Sequence, residues 1–283
     1  MNIVVCIKQI EQIYARSGND PKRHYLTSKD RIVRINPYDE AALEAALRIK
    51  DHVSGTRIIL LTLGDIIAEE ELRRCLALGA DALHQIDADL TLDSFAKSKQ
   101  LAGAARQLGA DIILCGKESM DRQNGQIGAF MAGHLNYPFV SAIVDLEYFS
   151  GKNRVEATRS CGRGTREKVS CPTPAVLSVD MGTHAYRIPS HADLQKAAAM
   201  PIQSIAGPVE SSGLAISILH TMPPRPRPKH DPAPDSGLPA IERIQQLLTG
   251  SKIEKKGRML EGEPDELVAG IMDYLLEHGF VDL

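Results

Sequence analysis

Tryptophan is absent from the 283 residues, and aromatic side chains make up only 4%. That excludes the aromatic platform on which single-stranded nucleic acid stacks. Positive charge is not in excess either. The formal net charge is -3, whereas a general nucleic-acid binder carries a strongly basic balance, so no nucleic-acid partner is expected. Cysteine is scarce: Cys6, Cys75, Cys115, Cys161 and Cys171 form no C-x-x-C pair and show no metal-ligand spacing. Reduced thiols in a cytoplasm-like compartment are the expectation. The 9 histidines are scattered without metal spacing, and no metal site is expected. No basic leader or long apolar span is seen, and residues 1–8 read directly into a strand. Secretion and membrane insertion are therefore not expected, and the expected location is cytoplasmic.

What remains is an ordinary globular composition, 43% hydrophobic and 24% charged. Short β-branched runs at residues 3–7, 57–63, 83–86 and 111–115 read as buried strands. Between them, residues 39–50, 69–78, 93–108 and 126–135 carry apolar positions at helical spacing. Gly79, Asn136 and Pro138 are fitting terminators. Strands separated by helices predict a doubly wound, mostly parallel α/β sheet. Beyond Pro138, residues 145–148, 153–158 and 167–170 predict a small antiparallel element, followed by another strand at 175–179. Residues 182–200 are polar and poorly periodic and read as a long loop. A proline-rich run at 223–229 reads as an extended linker, and helices are expected at 238–249 and 265–278. The expected division is an α/β domain over 1–205 and a C-terminal extension over 206–283.

Ligands of such sheets sit at the carboxyl ends of strands. The chemistry is concentrated in residues 116–128, Gly-Lys-Glu-Ser-Met-Asp-Arg-Gln-Asn-Gly-Gln-Ile-Gly, between a strand and a helix. Gly125 and Gly128 allow a tight turn and close approach, and N–H groups at a helix start favour an anion. The stretch reads either as a phosphate cradle or as a plain strand-to-helix turn. It matches neither a Walker loop nor G-x-G-x-x-G. Asn36 either shapes the turn before Pro37 or hydrogen-bonds an adenine or ribose. A basic glycine turn with Arg159, Arg163 and Arg166 reads as a solvated hairpin more than as a phosphate contact. No nucleophile–base or acid–base arrangement stands out.

Several short stretches, in order, resemble the beta subunits of electron-transfer flavoproteins. Residues 5–10, Val-Cys-Ile-Lys-Gln-Ile, resemble the family's V-x-V-K-Q-V opening. Residues 35–42, Ile-Asn-Pro-Tyr-Asp-Glu-Ala-Ala, resemble I-N-P-F-D-E-x-A, and residues 76–81, Leu-Ala-Leu-Gly-Ala-Asp, resemble L-A-M-G-A-D. Residues 116–121 resemble G-K-Q-A-I-D, and 126–133 align with Q-T-G-Q-x-x-A-G. The likeness covers residues 1 to about 205. It implies a heterodimer with an alpha subunit, one FAD held mainly by alpha, and a second nucleotide in beta. The beta site it implies comprises Cys6, Asn36, Pro37, Tyr38, Asp39, Leu63, Gly116, Asp121, Asn124, Gly125, Gln126, Ile127 and Gly128. It also implies electron carriage from a flavin dehydrogenase of the acyl-CoA dehydrogenase type to a membrane quinone oxidoreductase or other acceptor. A carrier needs no acid–base pair, because the cofactor holds the chemistry.

Two departures matter. Where the family's AMP pattern has threonine, Ile127 offers no hydroxyl, and Gln126-Ile127-Gly128 leans toward the Q-V-G-P of bifurcating members that hold a second FAD and oxidise NADH. AMP and a second FAD both stay open, as does a flavin-free nucleotide-binding stress-type protein. The loop at about 183–200 aligns with the family's partner-recognition loop, with His191 at the usual anchor position and Leu194 three residues on.

Overall fold

The structure, a computed structural model, describes residues 1–13, 31–88, 92–182, 186–206, 237–249 and 262–277. Residues fall into two units, Met1–Pro223 and Pro224–Leu283. The first is built on a nine-stranded sheet in the order β11-β5-β4-β1-β6-β10-β7-β8-β9. Its strands are β1 (Asn2–Cys6), β4 (Arg57–Leu63), β5 (Ala82–Ile86), β6 (Ile112–Gly116), β7 (Phe139–Phe149), β8 (Arg154–Ser160), β9 (Arg166–Pro172), β10 (Ala175–Val179) and β11 (Ile202–Ile205). Every pairing from β11 across to β7 is parallel, and only β8 and β9 join antiparallel. A separate antiparallel pair is formed by β2 (Gln9–Ile13) and β3 (Arg31–Ile35).

Central strands are apolar on both faces because helices cover both. In β4, Ile58 and Leu60 enter one core with α1 (Pro37–His52) and α2 (Glu69–Ala77). Ile59 and Leu61 enter the other with α3 (Ser94–Gln107) and α4 (Ile127–Leu135). Local signals set the helix ends. Pro37 opens α1, Asp93 caps α3 by accepting the Ala96 N–H at 2.7 Å, and Asn136 ends α4 in the left-handed region at φ 56.

From β1 the chain goes to β4 and β5 on one side, then crosses to β6 on the other. The switch point therefore lies between β1 and β6, where such sheets take their ligands.

Three expectations are corrected. The segment read as a loop over 182–200 contains a helix, α5 (His191–Ala199), capped by Ser190 Oγ, which accepts the Asp193 N–H at 3.2 Å. Only Ala197 of it is buried, so no apolar stripe announced it. The strand expected at 145–148 is the tail of the 11-residue β7, which starts beside β10 and ends beside β8. β2, β3 and β11 were not anticipated; the first two mix charged or amide side chains with isolated apolar residues, and the third has four residues.

The expected C-terminal helices are present as α6 (Ala240–Thr249) and α7 (Pro264–Glu277). Ile241 and Ile244 of α6, and Val268, Ile271, Met272 and Tyr274 of α7, are exposed. The proline-rich run at 223–229 lies outside the described residues. Among the described residues no helix is long and apolar enough to cross a membrane, and no group of three or more His, Cys, Asp or Glu is placed to hold a metal ion.

Candidate functional site

At the switch point, the start of α1 is pressed against the ends of β1 and β6. A Cβ on Gly116 would lie 2.6 Å from Tyr38 Cβ and would also strike Asp39 Oδ1, so only glycine fits. Asn36 is the N-cap of α1, yet its side chain does not cap the helix. It reaches across instead: Nδ2 donates to the Glu118 carbonyl at 2.9 Å, and Oδ1 accepts the Met120 N–H at 3.2 Å. Its main-chain N–H donates to the Lys8 carbonyl at 3.0 Å. Asp39 accepts the Lys8 N–H and the Gly116 N–H, each at 2.8 Å. Tyr38 donates its hydroxyl to Glu118 Oε1 at 3.0 Å. On the outside, Lys8 Nζ lies 2.6 Å from Asp121 and donates to Ser119 Oγ at 3.0 Å.

Burial is the largest influence on Asp39 and pushes its carboxyl from 3.8 up to about 7, against the opposing pull of the Lys8 and Gly116 N–H groups, the Asn36 side chain and the Lys8 charge. Between pH 4 and 7 the folded chain binds a proton that the unfolded chain has released, so stability falls as pH rises through that window and levels off above it. Carboxyls held low by cations, Asp51 beside Arg187 and Asp121 beside Lys8, act below pH 4, whereas His84, held down by burial, adds stability as pH rises toward 6.5 and offsets part of the Asp39 loss. Urea denaturation is expected to show a loss on the order of 2–4 kcal/mol across the window, and Asp39→Asn to flatten it. A wild-type profile that rises from pH 5 to 7 would contradict this assignment.

The second half of the turn is different. Residues 120–126 are exposed, Gln123 and Gly125 have left-handed backbone at φ 52 and 62, and α4 starts without a side-chain cap or an acidic residue in its first turn. Those free N–H groups and the helix dipole favour an anion. Gln126 is exposed, and Asn124 Nδ2 donates to Ser94 Oγ at 3.4 Å. Leu63 and Ile127 are partly buried against the core of the α3–α4 face, giving an apolar wall suited to a base. Cys6 ends β1 with its thiol 4.0 Å from Met131 Sδ, and burial raises it well above its usual value, so it is a small packing residue and not a nucleophile. Gly128 does not face the turn's open side alone. A Cβ there would lie 2.9 Å from Cys115 Sγ and 2.9 Å from Phe139 Cε2, so packing demands this glycine.

The structure thus gathers Asn36, Pro37, Tyr38, Asp39, Gly116 and Asp121 around the turn. Lys8 and Gln9 were missed as organisers. Gln9 Oε1 accepts the Ile67 and Ala68 N–H groups at 2.9 and 2.7 Å, shaping the loop after β4. The available signal was two polar residues directly after a buried strand, at the ligand end of the sheet.

The segment aligned with the recognition loop stands apart from this crevice. Arg187 donates to Glu44 Oε1 at 3.0 Å and to Asp51 Oδ2 at 2.9 Å, tethering it to α1. Next to that tether Ile188 is 91% exposed; His191 opens α5 and is exposed, and Leu194 is 39% exposed. Ile188 was not singled out from the sequence, where an isolated aliphatic between arginine and proline has no periodic pattern.

The model of the electron transfer flavoprotein domain matches residues 29–209. The electron transfer flavoprotein subunit beta of Methylophilus methylotrophus is 27% identical over 98% of both chains. FixA of Azotobacter vinelandii is 31% identical over 70% of this chain and 72% of its own. CarD of Acetobacterium woodii, named as a subunit of a caffeyl-CoA reductase–Etf complex, is 35% identical over 52% of this chain and 57% of its own. A sheet with its switch point at β1 and β6, a glycine turn between β6 and α4, and these likenesses agree: the chain belongs to the electron transfer flavoprotein family, among its beta subunits.

Proposed function

We propose that this chain is the beta subunit of a heterodimeric electron transfer flavoprotein, carrying electrons from a flavin dehydrogenase to a downstream acceptor. It pairs with an alpha subunit that holds most of an FAD, and its own crevice takes an adenine nucleotide. The observation that carries the nucleotide reading is the uncapped, acid-free start of α4 behind the exposed turn at 120–126. A phosphate there meets free N–H donors, while Leu63 and Ile127 offer apolar contact to the base. The flavin, when bound, supplies the electron-accepting chemistry; the chain's own residues bind, orient and exclude water. Ile188 and Leu194 are the aliphatic groups through which a client dehydrogenase would dock, and the Arg187 tether holds them in place. One such side chain contributes about 1.5–3 kcal/mol on burial, suited to a transient interface. α6 and α7 serve as an arm onto the alpha subunit.

A second reading, a bifurcating beta subunit with its own FAD, is favoured by Ile127, which lacks a hydroxyl, and by the likeness to CarD. Extracting every nucleotide from the heterodimer made with its alpha partner separates the two. One FAD with one AMP per dimer is the expected result; two FAD per dimer would favour the second reading. The chain made alone is expected to elute without flavin absorbance. A monomer with stoichiometric FAD would overturn the proposal, and a colourless heterodimer would point to a flavin-free nucleotide-binding protein.

A further inference from the structure

We infer that Asn36 and Asp39 are positioning residues for the nucleotide turn and not nucleotide ligands: together they bolt its first half, residues 116–120, to the ends of β1 and α1. This rests on the nucleotide reading above. A side chain that binds a nucleotide must be within its reach, and both of these are buried with their polar atoms turned toward the main chain. Asn36 is 1% exposed, and both its amide atoms are engaged with the backbone of Glu118 and Met120. Asp39 is 6% exposed, and each carboxylate oxygen already accepts a main-chain N–H, from Gly116 and from Lys8. Gly116 has no room for a Cβ, so the bolted half cannot shift toward α1. The other half, residues 120–126, is exposed and is left to meet the ligand. The turn is therefore divided: a fixed base that sets the position of the open N–H groups, and a free lip that carries them. Pre-fixing the base means that less ordering is lost on binding.

The arrangement has a distinctive signature. Two N–H donors converge on Asp39, and only the ionised carboxylate accepts both without a competing O–H. With its carboxyl pushed up to about 7 by burial, opening that exposes Asp39 releases a proton, so opening becomes easier as pH rises toward 7, the same sign as for global stability. The charged and titratable groups around Asp39 are Lys8 at the end of β1 and the thiols of Cys6, Cys75 and Cys115. Burial pushes all three thiols upward, to about 12 for Cys75 and Cys115, so none of them titrates between pH 6 and 8.

The test uses the full-length chain, with amide hydrogen exchange across the turn and calorimetric titration with AMP, on wild type, Asp39→Asn and Asn36→Asp. Exchange in peptides covering 116–120 is expected to accelerate at least tenfold in both variants, with AMP affinity falling at least tenfold. If the variants prove insoluble, wild-type exchange decides alone: amides at 116–120 should exchange at least tenfold more slowly than those at 121–126, and equal rates would overturn the inference. Lost affinity with unchanged exchange would make these residues direct ligands and overturn the inference. Unchanged affinity with faster exchange would overturn it too, since the bolt would then not matter to binding. Wild type that binds no AMP would sink the nucleotide reading, while the exchange measurement would still show whether the bolt exists.

Discussion

Gly128→Glu is expected to give mostly insoluble protein, with any soluble fraction melting roughly 10 °C or more below wild type. Phosphate repulsion alone suggests a milder outcome, an intact fold with an empty crevice. The packing argues otherwise. A Cβ at position 128 already lies within 2.9 Å of the Cys115 thiol and the Phe139 ring, both part of the layer between the sheet and α4. Overpacking costs about 1–3 kcal/mol, and a carboxylate forced into that layer adds the penalty of an unpaired buried charge. Together these approach the whole stability of a typical domain. The variant that isolates the anion effect is Gln126→Glu, on the exposed residue before α4. It should leave melting unchanged or slightly raised, because an acid at a helix start is favourable, while weakening AMP by roughly tenfold. Normal melting of Gly128→Glu would show that α4 can move away from β6, and full AMP affinity in Gln126→Glu would place the phosphate elsewhere.

Truncation after Met222 is expected to leave the melting of the remaining chain unchanged and to weaken association with the alpha subunit by roughly 100-fold. The first unit ends at Pro223, so the cut removes none of its elements. What it removes is two helices with apolar stripes in the open: Ile241 and Ile244 one turn apart on α6, and Val268, Ile271 and Met272 along α7. So short a segment cannot build its own core. Burying two such side chains on a partner, at about 1.5–3 kcal/mol each, more than covers the about 2.7 kcal/mol that 100-fold requires. Analytical ultracentrifugation of both lengths with alpha would settle the matter; equal affinities would mean that the extension is not an assembly arm.

The parts of the fold that were legible are those whose burial repeats along the chain. β1, β4 and β6 are apolar on both faces and flanked by helices with regular stripes, so the strand ends at Cys6, Leu63 and Gly116 could be placed from the sequence. β7 was half missed because it changes partners midway, with register shifts against both β10 and β8 and left-handed backbone at Ala142. Its burial alternates imperfectly as a result. α5 was missed because Arg73, donating to the Ala197 and Met200 carbonyls at 2.8 and 3.0 Å, fixes it from more than a hundred residues away. The Ser190 to Asp193 spacing was the one local cue. At the site, residue types pointed to the right turn but not to how its side chains divide the work. From the sequence Asn36 shapes the turn before Pro37 or contacts an adenine or ribose; its partners in the structure, Glu118 and Met120, are long-range and leave no local trace.

The place of β10 bears on how the chain is made. Strands β6 and β7 run parallel but do not pair; β10, synthesised after both, lies between them. While residues 175–179 are still to be added, the nascent chain can hold two unconnected pieces, the β5-β4-β1-β6 sheet and the β7-β8-β9 meander. Each exposes a long unpaired edge, the kind of surface on which growing chains stick to one another. Arrival of β10 closes both edges at once and joins the two pieces into one sheet, leaving only the four-residue β11 to be added at the β5 edge, so the step that removes most of the unpaired edge comes late in synthesis.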